Sequence, residues 1–294
     1  MNGRLAELVD LLDLEEIDTD VYRGQNESDR EQRLFGGQVA AQALAAAGRS
    51  VPDWLPHSLH GYFLRPGDPA RPVLYTVDRI RDGRSFATRR VVALQGGRAI
   101  FNTAISFHDD ERGHEHQLPM PEVPPPEEVL SWPELVDQQR TRLPERVMPW
   151  VHRERSIDLR HVQIPSYLGG DPFEGPGMIW FRADGELDDD PLLHQCVITY
   201  TSDMSLIDSM VRNYARTDPG HELMTASLDH AIWFHRRTRA DEWLLYVQDS
   251  PVAAGGRGFA RGSIFTRDGA LVASTTQEGL IRPVSADQAE DRSK

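Results

Sequence analysis

Two stretches of this chain repeat one another in the order and spacing of their blocks, and such a repeat constrains the architecture before any single element is assigned. The first runs from Ser58-Leu-His-Gly-Tyr-Phe-Leu-Arg-Pro66 through Leu74-Tyr75 and Gly83-Arg-Ser-Phe-Ala-Thr-Arg-Arg90 to Gly97-Arg-Ala-Ile-Phe-Asn-Thr103. The second runs from Ser227-Leu-Asp-His-Ala-Ile-Trp-Phe-His-Arg236 through Leu245-Tyr246 and Gly256-Arg-Gly-Phe-Ala-Arg-Gly262 to Gly269-Ala-Leu-Val-Ala-Ser-Thr275. Each set reads as four strands. Turn signals lie at Asp82-Gly83, Gly96-Gly97, Gly255-Gly256 and Asp268-Gly269, so an antiparallel meander is used twice.

One helix is expected ahead of each meander. The segment from Phe35 to Gly48 is Ala-rich with glycine at both ends, which suits a thin helix packed closely on a sheet. The second helix is expected from Pro191 to about Asn213, with Asp190 as N-cap and Pro191 at the first helical position. Leu193, Cys196, Val197, Tyr200, Met204 and Ile207 form its apolar stripe. The expected fold is therefore α+β, with each half a helix cradled by an antiparallel sheet. The predicted organisation is a module over 1–110, a Pro/Glu-rich linker over 111–155, a second module over 156–284 and a polar tail over 285–294. Five prolines between Pro119 and Pro126 predict a linker that buries little apolar surface, with one short helix near Glu134 to Leu143.

Composition removes several function classes. Against 46 acidic residues there are 32 basic ones, a net charge of −14, which opposes nonspecific binding to nucleic acid or anionic lipid. The chain has no apolar run long enough for a membrane span, and the acidic residues in its first twenty do not suit a signal peptide, so a cytoplasmic protein is expected. One cysteine, Cys196, leaves no internal disulfide and no Cys-based zinc cluster. Gly-x-Ser-x-Gly, Gly-Lys-Ser/Thr and His-Glu-x-x-His motifs are all missing. His114 and His116 lie in the linker without convergent ligands, and no metal or cofactor is expected.

Asp203 is the most informative residue. At about 100° per helical position it falls inside the stripe of Cys196, Tyr200 and Ile207, while Asp208 lies at its edge. A carboxylate facing a core needs partners, and desolvation raises its pKa. The alternative is that Asp203 merely caps or kinks the helix near Ser202 and Ser205. Gln277 shares a strand face with Ala273 and Thr275, and its amide suits either a held water or a cross-strand hydrogen bond. Ser227 is read on one strand face with Asp229 and Trp233, its hydroxyl orienting rather than attacking. Asp229 and His230 resemble an acid/base pair, yet adjacent strand residues point to opposite faces and cannot serve one site together. Among the arginines of the sheets, Arg89 and Arg257 are candidates for meeting an anionic ligand.

These blocks resemble the acyl-CoA thioesterase II family of double-hotdog hydrolases over roughly residues 8 to 283. The resemblance rests on Phe35-Gly-Gly-Gln-Val39, His57 to Asp68, Asp82 to Arg90, Ser202-Asp203, Ala226 to Arg236, Arg257 to Gly262 and Ser274 to Arg282. It implies two tandem hotdog modules, each a long helix wrapped by an antiparallel sheet. It also implies hydrolysis of acyl-CoA through a water held by Asp203, Ser227 and Gln277, with Asp203 as base, and a medium- or long-chain acyl-CoA is the expected substrate. Serine at 227 departs from the more usual threonine and loses the methyl that restricts χ1. A noncatalytic acyl-CoA binding module is the alternative.

Two further expectations concern assembly and symmetry. Trp233, Phe234 and Phe259 are expected on outer sheet faces, favouring a homo-oligomer, a dimer or tetramer. In the first half, Ser58 and His60 match Ser227 and Asp229, Ile105-Ser106-Phe107 matches Thr276-Gln277-Glu278, and the nearest polar helix residues are Gln38 and Gln42. No carboxylate or strand glutamine matches there, so one active site per chain is expected, against a competing second site at Gln38 and His60.

Overall fold

The computed structural model describes residues 3–27, 33–143, 148–171, 173–217 and 223–284. The expected polar tail at 285–294 lies outside them. The chain opens with helix α1 (Gly3–Leu12) and the short strands β1 (Glu15–Asp18) and β2 (Val21–Gly24). Helix α2 (Gly36–Arg49) and the meander β3 (Leu55–Phe63), β4 (Val73–Asp82), β5 (Phe86–Gln95) and β6 (Arg98–His108) follow. A middle segment carries α3 (Trp132–Gln139) and α4 (Met148–Val151). The second half repeats the plan with β7 (Ile157–His161), β8 (Gly177–Ala183), α5 (Pro191–Ser202), α6 (Leu206–Thr217), β9 (Leu223–Ser227) and β10 (Asp229–Phe234). It ends with β11 (Leu244–Ala254), β12 (Arg257–Thr266) and β13 (Leu271–Pro283).

The strands form one sheet in the order β1-β2-β4-β5-β6-β3-β10-β13-β12-β11-β8-β7, with β9 also on β13. The two halves meet edge to edge at β3 and β10, where His230 pairs with Gly61 and Ile232 with Leu59. Closing both modules into one sheet removes an exposed edge from each. The turns repeat as well: Gly96 and Gly97 have φ of 55° and 75°, and Gly255 and Gly256 have φ of 61° and 74°. Both two-residue hairpins thus use the left-handed conformation that glycine adopts without strain.

Helices α2 and α5 lie side by side and run in opposite directions. A β-carbon at Gly37 would strike the carbonyl oxygen of Tyr200, and one at Gly48 would strike the side chain of Leu192. The start of α2 therefore touches the end of α5, and the glycines at each end permit the approach. Alanines 40, 41, 43, 46 and 47 are fully buried between helix and sheet.

Four sequence expectations are corrected. The helix expected from Pro191 to Asn213 is two helices broken at Asp203 to Ser205. The hydroxyls of Thr199, Thr201 and Ser202 donate back to the carbonyls of Gln195, Val197 and Thr199, and Met204 N–H tightens onto Thr201 O at 3.0 Å. Such a run of back-bonding hydroxyls competes with the helical ladder. Second, the linker buries apolar surface: Trp132, Leu135, Val136 and Val151 pack with Leu168, and Trp180 Nε1 donates to Pro124 O. Its helix starts with a capping box at Ser131 and Glu134. Third, the first half adds β1 and β2 to what the repeat reveals, while the second adds β7 and β8 and has the first strand of its meander split into β9 and β10. Fourth, Phe234 is buried while Trp233 and Phe259 are half-buried; the large exposed apolar side chains of the sheet include Tyr62, Leu74, Ile80 and Phe86. No helix among the described residues is long and apolar enough to cross a membrane.

Candidate active site

The break after α5 sets where the Asp203 carboxylate lies. Asp203 is the C-cap of α5, with φ −86° and ψ −6°, so capping and inward placement occur together. Its side chain is only 3% exposed. Gln277, fully buried near the middle of β13, donates from Nε2 to Asp203 Oδ1 at 2.5 Å, and Ser227 Oγ lies 3.5 Å from the same oxygen. The backbone N–H of Gly37, in the first turn of α2, also donates to this carboxylate. A β-carbon on Gly36 would stand 2.7 Å from Asp203 Oδ2. The glycine pair thus lets a carboxylate approach the positive end of a helix, where anions are favoured.

Burial nevertheless dominates. Desolvation pushes the Asp203 pKa up to about 6, and the hydrogen bonds from Gln277, Gly37 and Ser227, with the more distant charge of Arg33, pull in the other direction without cancelling it. Near neutral pH the group is ionised yet close to its titration point. That suits a general base.

Ser227 reaches Asp203 by a different route from the expected one. Leu228 interrupts the strand, so Ser227 ends β9 on β13 while Asp229 begins β10 on β3 and β13. Ser227 and Asp229 do not share a continuous strand face. Asp229 Oδ1 accepts the N–H of Glu278 at 2.6 Å. His230, on the opposite face as alternation requires, enters the site: Nδ1 lies 3.3 Å from Gln277 Nε2 and Nε2 lies 2.8 Å from Ser202 Oγ. Complete burial lowers its pKa to about 4, so the imidazole is neutral at physiological pH. Asp229 and His230 do point to opposite faces, and the inward one, His230, is a site residue the sequence does not single out. The Gly36-Gly37 contact is not read from the sequence either, although two glycines opening a helix are its visible signal.

A cleft of about 430 Å³ opens onto Asp203 and Ser227. Leu34, Phe63, Phe101 and Ile207 give it apolar walls, and Arg33 and Arg65 line it as exposed cations. Neither predicted arginine lines it. Arg89 is buried, and its five N–H groups are matched by Ser50 Oγ, Ser50 O, Arg81 O, Thr88 O and Asp82 Oδ1. No donor is left for a ligand. Arg257 is exposed and pairs with Glu278 Oε1 at 2.8 Å. The long reach from sheet to helix end, which only the folded chain defines, redirects Arg89 inward.

The competing second site does not assemble. His60 is exposed on the outer sheet face against Trp233, whereas Gln38 is buried and holds Gln25 O and Asn26 Oδ1. Gln42 is likewise occupied by Leu11 O, Gln25 O and the Tyr75 hydroxyl. Among the described residues no group of three metal-ligating side chains converges.

The chain is similar along its length to known proteins. Residues 152–280 match the family described as Acyl-CoA thioesterase, and residues 27–108 match its Acyl-CoA thioesterase N-terminal domain. The chain is 37% identical over 283 residues to Acyl-CoA thioesterase 2 of Haemophilus influenzae, spanning 96% of this chain and 99% of that one. It is 41% identical over 282 residues to acyl-coenzyme A thioesterase 8 of Mus musculus, spanning 92% and 88% of the two chains. The crystal structure of an acyl-CoA thioesterase II from Mycobacterium marinum matches with a TM-score of 0.76 at 42% identity, over 95% of this chain and 99% of that chain. Similarity of this extent, along nearly the full length of both partners, establishes that the chain belongs to the acyl-CoA thioesterase family of hotdog-fold hydrolases.

Proposed function

We propose that this chain hydrolyses medium- or long-chain acyl-CoA to a free fatty acid and CoA, with Asp203, Ser227 and Gln277 acting on one water. The observation that carries the reading is a buried carboxylate of raised pKa, bonded to an amide and a hydroxyl, at an apolar cleft. Asp203 takes a proton from the water as its oxygen bonds to the thioester carbon. The negative charge that develops on the carbonyl oxygen is met by amide dipoles of the first turn of α2, whose N-cap Phe35 makes no side-chain cap. The C–S bond then breaks, and the CoA sulfur leaves with the proton returned by Asp203. Holding the water beside the carbon removes the need for a covalent intermediate.

Arg33 and Arg65 replace Arg89 and Arg257 as the cations suited to the anionic CoA. A homo-oligomer, dimer or tetramer, remains part of the proposal, supported now by exposed Tyr62, Leu74, Ile80 and Phe86. The deciding measurement is CoA release across a panel from short to long acyl chains, for wild type and Gln277→Ala. Release that rises with chain length and drops at least tenfold in the variant is expected. Saturable binding without release above a blank would instead favour the acyl-CoA binding module.

A further inference from the structure

The Gln277 amide has two ends with opposite hydrogen-bonding character, and its role at the proposed water depends on which end meets Asp203. Its Nε2 lies 2.5 Å from Asp203 Oδ1 and 3.3 Å from His230 Nδ1, while Oε1 is buried and finds no hydrogen-bond partner among the described residues. With the amide turned over, its oxygen would face a carboxylate oxygen and a ring nitrogen together. The identity of that ring nitrogen is fixed from the far side. Ser202 Oγ lies 2.9 Å from Thr199 O, a carbonyl that can only accept, so the hydroxyl donates there and accepts from His230 Nε2–H at 2.8 Å. A neutral imidazole with hydrogen on Nε2 carries a lone pair on Nδ1. The end of α5 that holds Ser202 is anchored in turn by the Tyr246 hydroxyl, 3.0 Å from Ser202 O and 2.7 Å from Thr275 Oγ1.

We infer that His230 is a positioning residue: its Nδ1 lone pair, set by Ser202, fixes Gln277 with N–H toward Asp203 and the amide oxygen free to accept from the attacking water. The inference rests on the proposed site. One N–H of Gln277 goes to the base and the other to the imidazole, which consumes both donors and leaves a single acceptor. The hydrogen bonds of the His230 ring go to Ser202 and to Gln277, so it acts through Gln277 rather than on substrate. The low pKa that burial imposes keeps Nδ1 unprotonated over the working range.

The test is a steady-state cycle with one acyl-CoA on wild type, His230→Leu, His230→Asn, Gln277→Ala and the double variant His230→Leu/Gln277→Ala. His230→Leu should lower kcat about 10–100-fold with KM changed little, the size typical of losing a residue that orients a functional group. His230→Asn, whose amide oxygen can replace Nδ1 as acceptor, should recover most of that loss. In the Gln277→Ala background, His230→Leu should cost no more than about twofold further, because a residue that acts only through another shows a strong coupling energy. Additive losses in the double variant, or an unimpaired His230→Leu, would overturn the positioning role while leaving the proposed site intact. A Gln277→Ala protein with wild-type kcat would overturn the site itself and the inference with it. Should His230→Leu fail to fold, Ser202→Ala releases the tautomer and should give a several-fold loss of kcat that vanishes in the Gln277→Ala background; a loss that persists there overturns the inference.

Discussion

The two helix ends, one in each half, show how a duplicated module comes to carry a buried carboxylate at one end and not at the other. Ser50 caps α2 with φ −86° and ψ −4°, matching Asp203 at the end of α5 with φ −86° and ψ −6°. The backbones are equivalent and the side chains are not. Beside Asp203 stands a helix start with two glycines and no side-chain cap. Beside Ser50 stands a start with Pro191, which has no N–H, with Asp190 accepting the N–H of Leu192 and the Leu192 side chain against Gly48. Phe86-Ala87 and Phe259-Ala260 match in the repeat, and Ala87 opposes Phe107 where Ala260 opposes Gln277. Phe107, rather than the expected Ser106, therefore occupies the place of Gln277. Arg89 fills the remaining space and donates to Ser50 Oγ at 2.7 Å. One end is a cleft over a carboxylate, the other a plugged and satisfied core. The fold supplies two helix ends, and side-chain choice decides which one opens onto a cleft.

The largest expected effect separates the ends by activity. Asp203→Asn keeps the shape and removes the base, so CoA release should fall about 10²–10⁴-fold, whereas Ser50→Ala should stay within about threefold of wild type. Comparable losses in both variants would show that the ends share the chemistry.

Stability should separate them in the opposite sense. Arg89→Met strands the carbonyls of Ser50, Arg81 and Thr88 and removes a buried side chain, for an expected cost of about 2–4 kcal/mol in urea unfolding with kcat little changed. Asp82, the charged partner, is 62% exposed and returns to water, which keeps the cost below that of a fully buried broken pair. No loss of stability would mean that the plug contributes nothing.

A pH series sharpens the same contrast. Asp203 is raised to about 6 from the ordinary 3.8, so the folded state holds this proton more tightly than the unfolded chain does. Stability from that linkage is fully present below about pH 4 and is lost as pH rises through 6. Asp203→Asn removes the titration and should be the more stable protein at pH 8 by on the order of 2–3 kcal/mol, with the gap closing toward pH 4. Asp208, raised to about 6 by its own burial, titrates in both proteins and drops out of the difference. A gap that widens on acidification would contradict the assignment.

The smallest expected effect lies at Ser227. Threonine there keeps the hydroxyl and adds a methyl that limits χ1, so Ser227→Thr should change kcat by less than about threefold, and upward if orientation is what serine lacks. A loss beyond tenfold would mean that the half-buried pocket around Ser227 has no room for the methyl.

The sequence carried the periodic and local information. Alternation put Gln277 inward and Asp229 away from His230, helical spacing put Asp203 on the apolar face, and the paired Gly-Gly turns marked both meanders, because each of these depends on neighbours a few residues apart. The family resemblance supplied the grouping of Asp203, Ser227 and Gln277, which no local rule could. What the tertiary structure decided are the long-range facts. It brought Gly36 and Gly37 of one half against the carboxylate of the other. It buried Arg89 under its own helix end and set His230 behind Gln277. Those arrangements depend on distances between segments far apart in the chain, which hydrophobic period and turn chemistry do not specify and only packing to full density resolves.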